Sequence, residues 1–382
     1  MMLVFWYSVL LVTYTYVMYP IMIWVAARCW PVQGLPGSDG GARPLPRVSI
    51  CVAARNEAAG LPGKIANLLD QDYPADLLEI IVASDGSTDA TLAIARSSPG
   101  IIGLDCPARG KAAAVNAAAA AARGSILVFT DVRQMLAPDA VSMLIDRLRD
   151  PAVGVAGGEL VHAPAESGPG SSIGLYWRYE RSIRRAESAF FSTLGASGAL
   201  YALRRADFMP LREGTLLDDF DVPMAVLRTG RRIVLESRAK VFDVVESTLA
   251  GERRRKIRTL AGNWQSLARN AWLLVPRENP ACWQYVSHKL LRLVVPYAML
   301  AAFAAAWFVP GRAYRTAAIL QSMFWAVALL GSCMPSLRRL RLVSLASLLL
   351  ELNWAAVAGF WYFCGRRTDA LWRPAAAGGP GR

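Results

Sequence analysis

The amino-terminal stretch from Leu3 to Ala27 contains no charged residue, and this feature constrains the fold more than any other. A run of this length crosses a bilayer core of about 30 Å as an α-helix. A signal peptide would have a basic start, a shorter apolar core and a small-residue cleavage site, and this stretch has none of them. Arg28 follows, so the positive-inside rule places the amino terminus outside and the next domain in the cytoplasm. We predict a transmembrane helix over residues 1–28.

Three further apolar stretches near the carboxyl end are long enough to span a membrane. They run from Leu293 to Val309, from Ala317 to Met334 and from Leu342 to Cys364. We therefore predict a transmembrane region of about three helices over residues 285–365, followed by a tail over residues 366–382.

The topology that these stretches imply is not consistent at its carboxyl end. Four crossings place three arginines inside, as the positive-inside rule requires, but place three others outside. Either the tail is an exception, or one segment is re-entrant or interfacial. Glu351 and Asn353 lie mid-span, where a carboxylate is costly unless it faces protein or a polar passage, so a functional role and a buried structural pair are both open. The arginines inside are Arg338, Arg339 and Arg341, and those outside are Arg366, Arg367 and Arg373.

Composition narrows the classes of protein and of chemistry. Hydrophobic residues make up 54% of the chain and the mean hydropathy is +0.30, too apolar for an ordinary soluble enzyme. The net charge of +13 suits an anionic lipid surface or a phosphate-bearing substrate, and we do not expect nucleic acid as a partner. The six cysteines form no Cys-x-x-Cys pair and there are only two histidines, which argues against a zinc site or a Ser-His-Asp triad. Catalysis should therefore depend on carboxylates and cations.

The middle of the chain has the pattern of an α/β domain. A Gly- and Pro-rich linker over residues 29–46 precedes it. Apolar strands then alternate with helices over residues 47–250, which indicates a largely parallel sheet. Ligands bind beyond the carboxyl ends of such strands, so the polar groups there, Arg55-Asn56-Glu57, Asp85 and Asp131, are the first candidates for a site. The predicted strands are Val48–Ala53, Glu79–Ala83 and Ile126–Phe129, and the predicted helices are Glu57–Leu69, Thr88–Arg96, Ala112–Ala122 and Asp139–Arg149.

A basic segment follows this domain. Five of the six residues from Arg253 to Arg258 are cations, and Trp264 and Trp272 follow at helical spacing. A basic helix that carries tryptophan beside membrane segments is typical of the bilayer interface, and we predict interfacial amphipathic helices over residues 251–284.

Short motifs occur in a fixed order between Val48 and Gly262, and an ordered set is far more specific than any one of them. They are Ala53-Ala54-Arg55-Asn56-Glu57, Ser84-Asp85-Gly86-Ser87-Thr88-Asp89, Gly110-Lys111 with Asn116, Thr130-Asp131, Gly195-Ala196-Ser197-Gly198, Leu217-Asp218-Asp219, and Arg255-Lys256-Ile257-Arg258-Thr259-Leu260-Ala261-Gly262. In these motifs the chain resembles the membrane-bound inverting glycosyltransferases of family 2, which include cellulose, chitin, hyaluronan and poly-N-acetylglucosamine synthases. The resemblance implies an α/β, GT-A-type nucleotide-sugar-binding domain inserted between an N-terminal transmembrane helix and a C-terminal transmembrane helix bundle.

The resemblance assigns nucleotide-sugar binding to the first three motifs. Arg55, Glu57 and Asp85 match positions that contact the nucleotide, and Lys111 opens a helix whose free N–H groups and cationic side chain suit a phosphate. Read alone, the sequence around Asp85 is also good turn and helix-capping chemistry. Asp89 is expected to be structural.

Asp131 matches the first carboxylate of the family's Asp-x-Asp element, which holds Mg²⁺ or Mn²⁺ against the donor diphosphate. The third position is Arg133, which departs from that element. One carboxylate together with phosphate oxygens still suits a divalent ion, because Mg²⁺ commonly keeps waters and substrate phosphates as ligands. Arg133 is expected either to supply positive charge directly or to face solvent.

Asp219 matches the family's catalytic base. Inversion needs one carboxylate opposite the leaving group, where it deprotonates the acceptor hydroxyl as that hydroxyl attacks. Asp218, Asp219 and Asp221 repel one another, which raises the pKa of one of them. An acidic loop or helix start is the alternative interpretation.

Arg255 and Arg258 match the polar residues of the family's Gln-x-x-Arg-Trp element, and Arg258 would pair with the diphosphate. Thr259 replaces the tryptophan that supports the acceptor sugar in polymerising members, which leaves processive synthesis open. The basic run also suits lipid headgroups. The aromatic segment from Tyr176 to Glu180 would line the acceptor side or pack in the core.

Together these features predict a multi-pass enzyme of the bacterial inner membrane with a cytoplasmic catalytic domain. It would pass a sugar from a nucleotide-sugar, expected from the family to be a UDP-sugar, to a membrane-associated glycan or lipid-linked acceptor in exopolysaccharide or cell-envelope glycan synthesis. Export or synthase subunits are possible partners. A hydrophilic groove from Asp219 past Glu351 would favour a polymer channel, and a sealed bundle with a lateral opening would favour a lipid acceptor. The alternative is a non-catalytic subunit of a polysaccharide-synthesis complex, which Arg133 and Thr259 permit.

Overall fold

The computed structural model describes residues 1–32, 44–162, 170–243 and 249–365. Most of the predicted linker over residues 29–46 and the whole predicted tail over residues 366–382 lie outside these ranges.

The central domain is built on one mixed sheet. The strands are β1 (Val48–Ala54), β2 (Leu78–Asp85), β3 (Ile101–Cys106), β4 (Ile126–Phe129), β5 (Met135–Leu136), β6 (Val153–His162), β7 (Tyr201–Arg204) and β8 (Arg232–Asp243), in the spatial order β3-β2-β1-β4-β7-β6-β8-β5. The first four in this order run parallel, with Val48 of β1 paired to Leu78 and Ile126. Beyond β4, strand β7 runs antiparallel to both of its neighbours, whereas β6 and β8 return to the direction of the first four strands. The sheet is therefore largely parallel, as predicted, with β7 and the edge strand β5 reversed.

Helices cover both faces of this sheet. Those of the central domain are α2 (Leu61–Leu69), α3 (Thr91–Ser97), α4 (Lys111–Ala121), α5 (Ala140–Arg147), α6 (Gly170–Phe190) and α7 (Asp218–Arg228). Alternate residues of β1 are buried under helices on opposite faces of the sheet. Ile50 and Val52 belong to one apolar core with α2 and α5, whereas Cys51 belongs to another with α4. This two-sided burial explains the near-continuous apolar runs of the parallel strands. Because these strands run parallel, their polar carboxyl ends lie at the same edge of the sheet.

Four helices in the described ranges are long and apolar enough to cross a membrane. They are α1 (Met2–Cys29), α9 (Cys282–Phe308), α10 (Arg312–Cys333) and α11 (Arg341–Cys364). The second crossing therefore begins earlier than the predicted Leu293 and includes Lys289 and Arg292. Arg292 pairs with Glu180, and both cations line a cavity within the protein.

The basic segment forms α8 (Leu249–Arg269), which packs along α11. Gly359 of α11 allows this close approach, because a Cβ there would meet the backbone nitrogen of Ala261 at 2.9 Å. Trp264 lies edge to face on Phe360, with ring centroids 5.1 Å apart. The predicted interfacial segment over residues 251–284 thus contains α8, a short 3₁₀ helix and the first residues of α9.

The mid-span carboxylate of α11 is paired within the protein. Nη2 of Arg338 donates a hydrogen bond of 2.5 Å to Oε1 of Glu351. Asn353 donates to the carbonyl of Leu349, one turn earlier. Of the two roles open for Glu351, the structure favours a structural ion pair, although the Glu351 side chain is 33% exposed rather than buried.

Candidate active site

The carboxyl ends of β1 and β2 bring two predicted nucleotide-binding residues together. Arg55 follows β1, and its Nη1 lies 3.3 Å from Oδ2 of Asp85, the last residue of β2. Oδ1 of Asp85 accepts a hydrogen bond of 2.9 Å from the backbone N–H of Gly110. The Asp85 side chain is only 1% exposed. This buried carboxylate therefore links the carboxyl ends of β1 and β2 to Gly110, which precedes α4.

Glu57 lies at the same edge, in the turn between β1 and α2. Its backbone N–H donates to Oγ1 of Thr91 over 2.8 Å, which fixes the turn to the start of α3. Burial, with the nearby carboxylates of Asp131 and Asp89, raises the pKa of Glu57 above its usual value. Asp89 itself accepts hydrogen bonds from the N–H groups of Ala58 and Thr91, in the structural role expected for it.

Lys111 forms ion pairs with carboxylates that are far apart in the sequence. Its Nζ lies 2.8 Å from Oδ1 of Asp131, at the end of β4, and 3.1 Å from Oδ1 of Asp218, at the start of α7. Burial alone would lower the pKa of Lys111, but Asp131, Asp218 and Asp219 raise it above its usual value. A permanent positive charge therefore stands at the centre of three acids.

Asp219 occupies the first turn of α7, and its Oδ2 accepts a hydrogen bond of 3.0 Å from the backbone N–H of Gly198. Burial and repulsion from Asp218 raise the pKa of Asp219 to about 6, against the lowering effect of Lys111. Such a carboxylate is ionised at neutral pH yet takes up a proton more readily than an ordinary aspartate. These are the properties of a general base.

Arg255 and Arg258 lie one turn apart on α8 but in different surroundings. Nη2 of Arg258 lies 3.4 Å from the carbonyl oxygen of Leu216, just before the acids of α7. Burial lowers the pKa of Arg258, while Asp218 and Asp131 act in the opposite direction. Arg258 therefore belongs to the charged cluster, whereas Arg255 is exposed on the surface of the helix.

The residues around Asp131 suit a divalent ion only when the ion brings most of its own ligands. Within the described ranges, no three His, Cys, Asp or Glu side chains converge on a metal position. Arg133, which was expected to supply positive charge directly or to face solvent, is 35% exposed, and its Nη2 lies 2.5 Å from Oδ2 of the buried Asp243 on β8. Its charge also acts on Glu57 of the site. The Asp131 side chain is 37% exposed, which leaves one accessible carboxylate for an ion held by substrate phosphates.

A cavity of about 310 Å³ is lined by Asp219 but not by Lys111, Asp131 or Asp218. Tyr176 and Trp177 of α6 line it together with Thr259 of α8, so the aromatic segment does lie beside the predicted base. The rest of its lining includes charged residues of α6 and α9, and of these only Glu180 belongs to a segment predicted from the sequence to line the acceptor side. Within the described residues, none of the lining comes from α10 or α11.

Sequence reasoning missed the charged residues that α9 contributes. His288, Lys289 and Arg292 precede the apolar run that was expected to begin at Leu293. The signal was present, because two cations beside an uncharged run mark either a helix end or a polar site.

The profile described as Glycosyl transferase family 2 matches residues 49–211. An N-acetylglucosaminyltransferase of Rhizobium meliloti (strain 1021) is 29% identical over 258 residues, which cover 61% of this chain and 58% of the relative. An N-acetylglucosaminyltransferase of Bradyrhizobium elkanii is 36% identical over 124 residues, which cover 31% of this chain and 68% of the relative. The match to the Rhizobium meliloti protein thus spans less than two thirds of that protein's length.

A solved structure resembles almost the whole chain. It is a mannosyltransferase from Pyrobaculum calidifontis in complex with GDP-Man and Mn²⁺, with a TM-score of 0.70 and 23% sequence identity over 94% of this chain and 98% of that chain. At this identity the likeness concerns the fold alone. It confirms the predicted GT-A-type domain between an amino-terminal apolar helix and carboxyl-terminal apolar helices.

Proposed function

Because the chain belongs to glycosyl transferase family 2, we propose that it transfers a sugar from a nucleoside-diphosphate donor, with inversion, to a hydroxyl of a membrane-associated acceptor. One observation carries this proposal. Asp219, with a pKa of about 6, interacts with the cluster of Lys111, Asp131 and Asp218 and also lines the cavity, which those three residues do not line. A base in this position separates a donor compartment from an acceptor compartment, as in-line displacement requires.

The chain's own groups can perform each part of the displacement. Asp219 takes the proton of the acceptor hydroxyl as that oxygen bonds to the anomeric carbon. The bond from the anomeric carbon to the diphosphate breaks, and Lys111 and Arg258 lie where they can neutralise the charge that develops. Arg55, Glu57 and Asp85 form the strand-end pocket for the nucleoside, and Asp85 would exchange its bond to Arg55 for one to the base or ribose.

The donor is inferred from the relatives rather than from the pocket. The N-acetylglucosaminyltransferases among them support an N-acetylglucosamine donor, for which UDP is the expected nucleotide. Asp131 would hold Mg²⁺ or Mn²⁺ together with the donor diphosphate. When bound, the ion would add positive charge at the leaving group.

The cavity supports a lipid-linked acceptor and a single addition. It extends from Asp219 toward α6 and the start of α9 and does not pass Glu351, which is bonded to Arg338. Thr259, in the position of the acceptor-stacking tryptophan, lines the cavity without an aromatic face. We place the reaction at the cytoplasmic membrane face in cell-envelope glycan synthesis, with subunit partners unassigned.

The test is nucleoside diphosphate release by the full chain in a native-like membrane extract that supplies acceptor. UDP- and GDP-sugars are compared with Mn²⁺, Mg²⁺ or EDTA for the wild type and Asp219→Asn. We expect release with UDP-N-acetylglucosamine and metal, reduced by about 100-fold or more in Asp219→Asn, the contribution typical of a general base.

Asp146→Asn is the matched control, because Asp146 is 46% exposed on α5 and lies outside the cluster. It should retain wild-type release. Equal release by wild type and Asp219→Asn would refute the assigned base, and no release from any donor would favour a non-catalytic subunit.

A further inference from the structure

The cavity beside Asp219 contains cationic groups that the protein does not satisfy. Arg184 of α6 and Lys289 of α9 line it, and within the described residues neither has a hydrogen-bond or ion-pair partner. Arg292 lines it as well, and its Nε and Nη2 are buried without an acceptor. Since an unpaired buried donor is costly, these groups point to an acceptor that the protein itself does not supply.

The acids of the cavity already have protein partners, although Oε2 of Glu187 is itself buried without a donor. Glu180 receives hydrogen bonds from Arg292 at 2.6 Å and His288 at 2.9 Å. His288 also bonds Glu187 at 2.7 Å, and the Tyr19 hydroxyl donates to the same oxygen of Glu187. Both ring nitrogens of His288 thus lie within hydrogen-bond distance of carboxylate oxygens, and Arg292 is the arginine partner of these acids.

A third acid, Glu159, has two arginine partners. Glu159 accepts hydrogen bonds from Arg185 and lies 3.4 Å from Arg181. The three acids are thus matched by three arginines, Arg181, Arg185 and Arg292, so the charges of Arg184 and Lys289 remain in excess. Together they match a group that carries about two negative charges.

The position of these cations suggests which anion they meet. Lys289 and Arg292 lie in the first turns of the membrane-spanning helix α9, near the end that packs on the catalytic domain. That is the depth of lipid headgroups, where basic side chains meet lipid phosphates. The ammonium of Lys289 also lies 6.0 Å from the ring centroid of Phe220, the neighbour of Asp219, so the excess charge is close to the reacting hydroxyl.

We propose that the acceptor carries a lipid-linked phosphate or diphosphate, bound by Arg184, Lys289 and the free donors of Arg292, while its hydroxyl is presented to Asp219. This rests on the proposed function and specifies its acceptor class. The phosphate does not react: the acceptor oxygen bonds to the anomeric carbon, Asp219 takes the proton, and the donor diphosphate leaves with the electron pair. Arg184 and Lys289 are positioning residues.

The test measures binding, so it does not depend on turnover. The full chain is held in a neutral polyoxyethylene detergent with saturating UDP, which occupies the donor site. Radiolabelled farnesyl phosphate and farnesyl diphosphate are the probes, and farnesol, dioleoylglycerol and inorganic diphosphate are the competitors. We expect the phosphorylated lipids to bind at least about tenfold more tightly than farnesol, the effect of one or more charge-assisted hydrogen bonds.

Lys289→Met and Arg184→Gln should each weaken phosphorylated-lipid binding by about tenfold and leave farnesol binding unchanged. Arg178→Gln is the matched control, because Arg178 is exposed on the same helix and does not line the cavity. UDP binding establishes that each variant is folded, and Arg184→Gln gives an independent result if Lys289→Met fails to fold.

Equal binding of farnesol and farnesyl phosphate, or unchanged binding in both variants, would overturn the proposal. Competition by inorganic diphosphate as strong as that by farnesyl diphosphate would also overturn it, since the recognised group would then not be a lipid. Asp219→Asn separates the two proposals: it should lose sugar transfer and still bind farnesyl diphosphate like the wild type.

Discussion

The backbone N–H of Gly198 donates a hydrogen bond of 3.0 Å to Oδ2 of Asp219, and a Cβ at position 198 would stand 3.2 Å from that same oxygen. The adjoining backbone is equally close, because the N–H of Ala196 donates to the carbonyl of Asp219 over 2.8 Å. Gly195 adopts a φ of 83°, which an L side chain would strain. The glycine-rich loop therefore holds the proposed base from both its main chain and its carboxylate.

Gly198→Ala should impair catalysis more than donor binding. The added methyl displaces the Asp219 carboxylate by a few tenths of an ångström, and such misplacement costs about 10- to 100-fold in kcat. Steady-state release of nucleoside diphosphate would show a lower kcat with a nearly unchanged KM for the donor. Gly63→Ala is the control, because its Cβ would lie 3.7 Å from the flexible end of Met135. Equal kcat in the two variants would contradict the close contact.

The pH dependence of turnover should report the state of Asp219. Because the base must be ionised and its pKa is about 6, kcat should be level above that pH and fall about tenfold per unit below it. The measurement is kcat at saturating donor from pH 4.5 to 8.5. A level profile down to pH 4.5 would mean that the base titrates as an ordinary aspartate.

Lys111→Met should shift this profile. Lys111 lowers the pKa of Asp219, so its removal should raise that pKa and move the acidic limb to higher pH. Donor binding should also weaken, because Lys111 is the cation nearest Asp131. Lys240→Met, the same charge change at an exposed position of β8, serves as the control for a general electrostatic effect. An unshifted acidic limb in Lys111→Met would mean that Lys111 does not affect the pKa of Asp219.

Lys64 should make the stability of the catalytic domain depend on pH. Its buried Nζ donates to Thr130 and to the carbonyl of Gln134, and burial lowers its pKa to about 7 from 10.5. Between these values the unfolded chain binds the proton and the folded chain does not, so the free energy of unfolding rises with pH, by up to about 1.4 kcal/mol per unit. Thermal unfolding at pH 7, 8 and 9 should show this rise in the wild type and lose it in Lys64→Met. The same pH dependence of unfolding in both proteins would refute the assignment of this effect to Lys64.

The parallel half of the sheet could be predicted from sequence because its strands are buried on both faces. β1, β2 and β4 are continuous apolar runs that end in turn residues. β3 was missed, because most of its residues are only partly buried and it contains Gly103 and Asp105. β6 and β8 were missed for a different reason: their pairing joins residues far apart in sequence, and β6 is interrupted by glycine and glutamate.

The residues of the candidate site could be identified from motifs, but the contacts between them could not be predicted. The resemblance identified Lys111, Asp131 and Asp219, yet nothing in their spacing shows that Lys111 bonds Asp131 and Asp218 together. The partner of Arg133 is Asp243, which lies 110 residues further along the chain and could not be inferred. The cationic residues that α9 contributes to the cavity were missed, because the membrane span was expected to begin at Leu293, where the uncharged run starts.

Arg133→Asp would restore an Asp-x-Asp sequence, but we expect it to weaken the protein rather than strengthen metal binding. The new carboxylate would face Asp243, whose side chain is 3% exposed and would lose its ion pair. The expected cost is about 2 kcal/mol in the free energy of unfolding, moderated because Arg133 is 35% exposed. Thermal unfolding and titration of Mn²⁺ in the presence of UDP would measure the two effects.

Two further variants make this result specific to the Arg133–Asp243 pair. Arg123→Asp makes the same charge change at an exposed position and should unfold like the wild type. Combining Arg133→Asp with Asp243→Asn removes the repulsion, because an amide can share a hydrogen bond with the new carboxylate, and it should restore most of the lost stability. Tighter Mn²⁺ binding by Arg133→Asp alone, at wild-type stability, would show that position 133 faces the donor diphosphate and not β8.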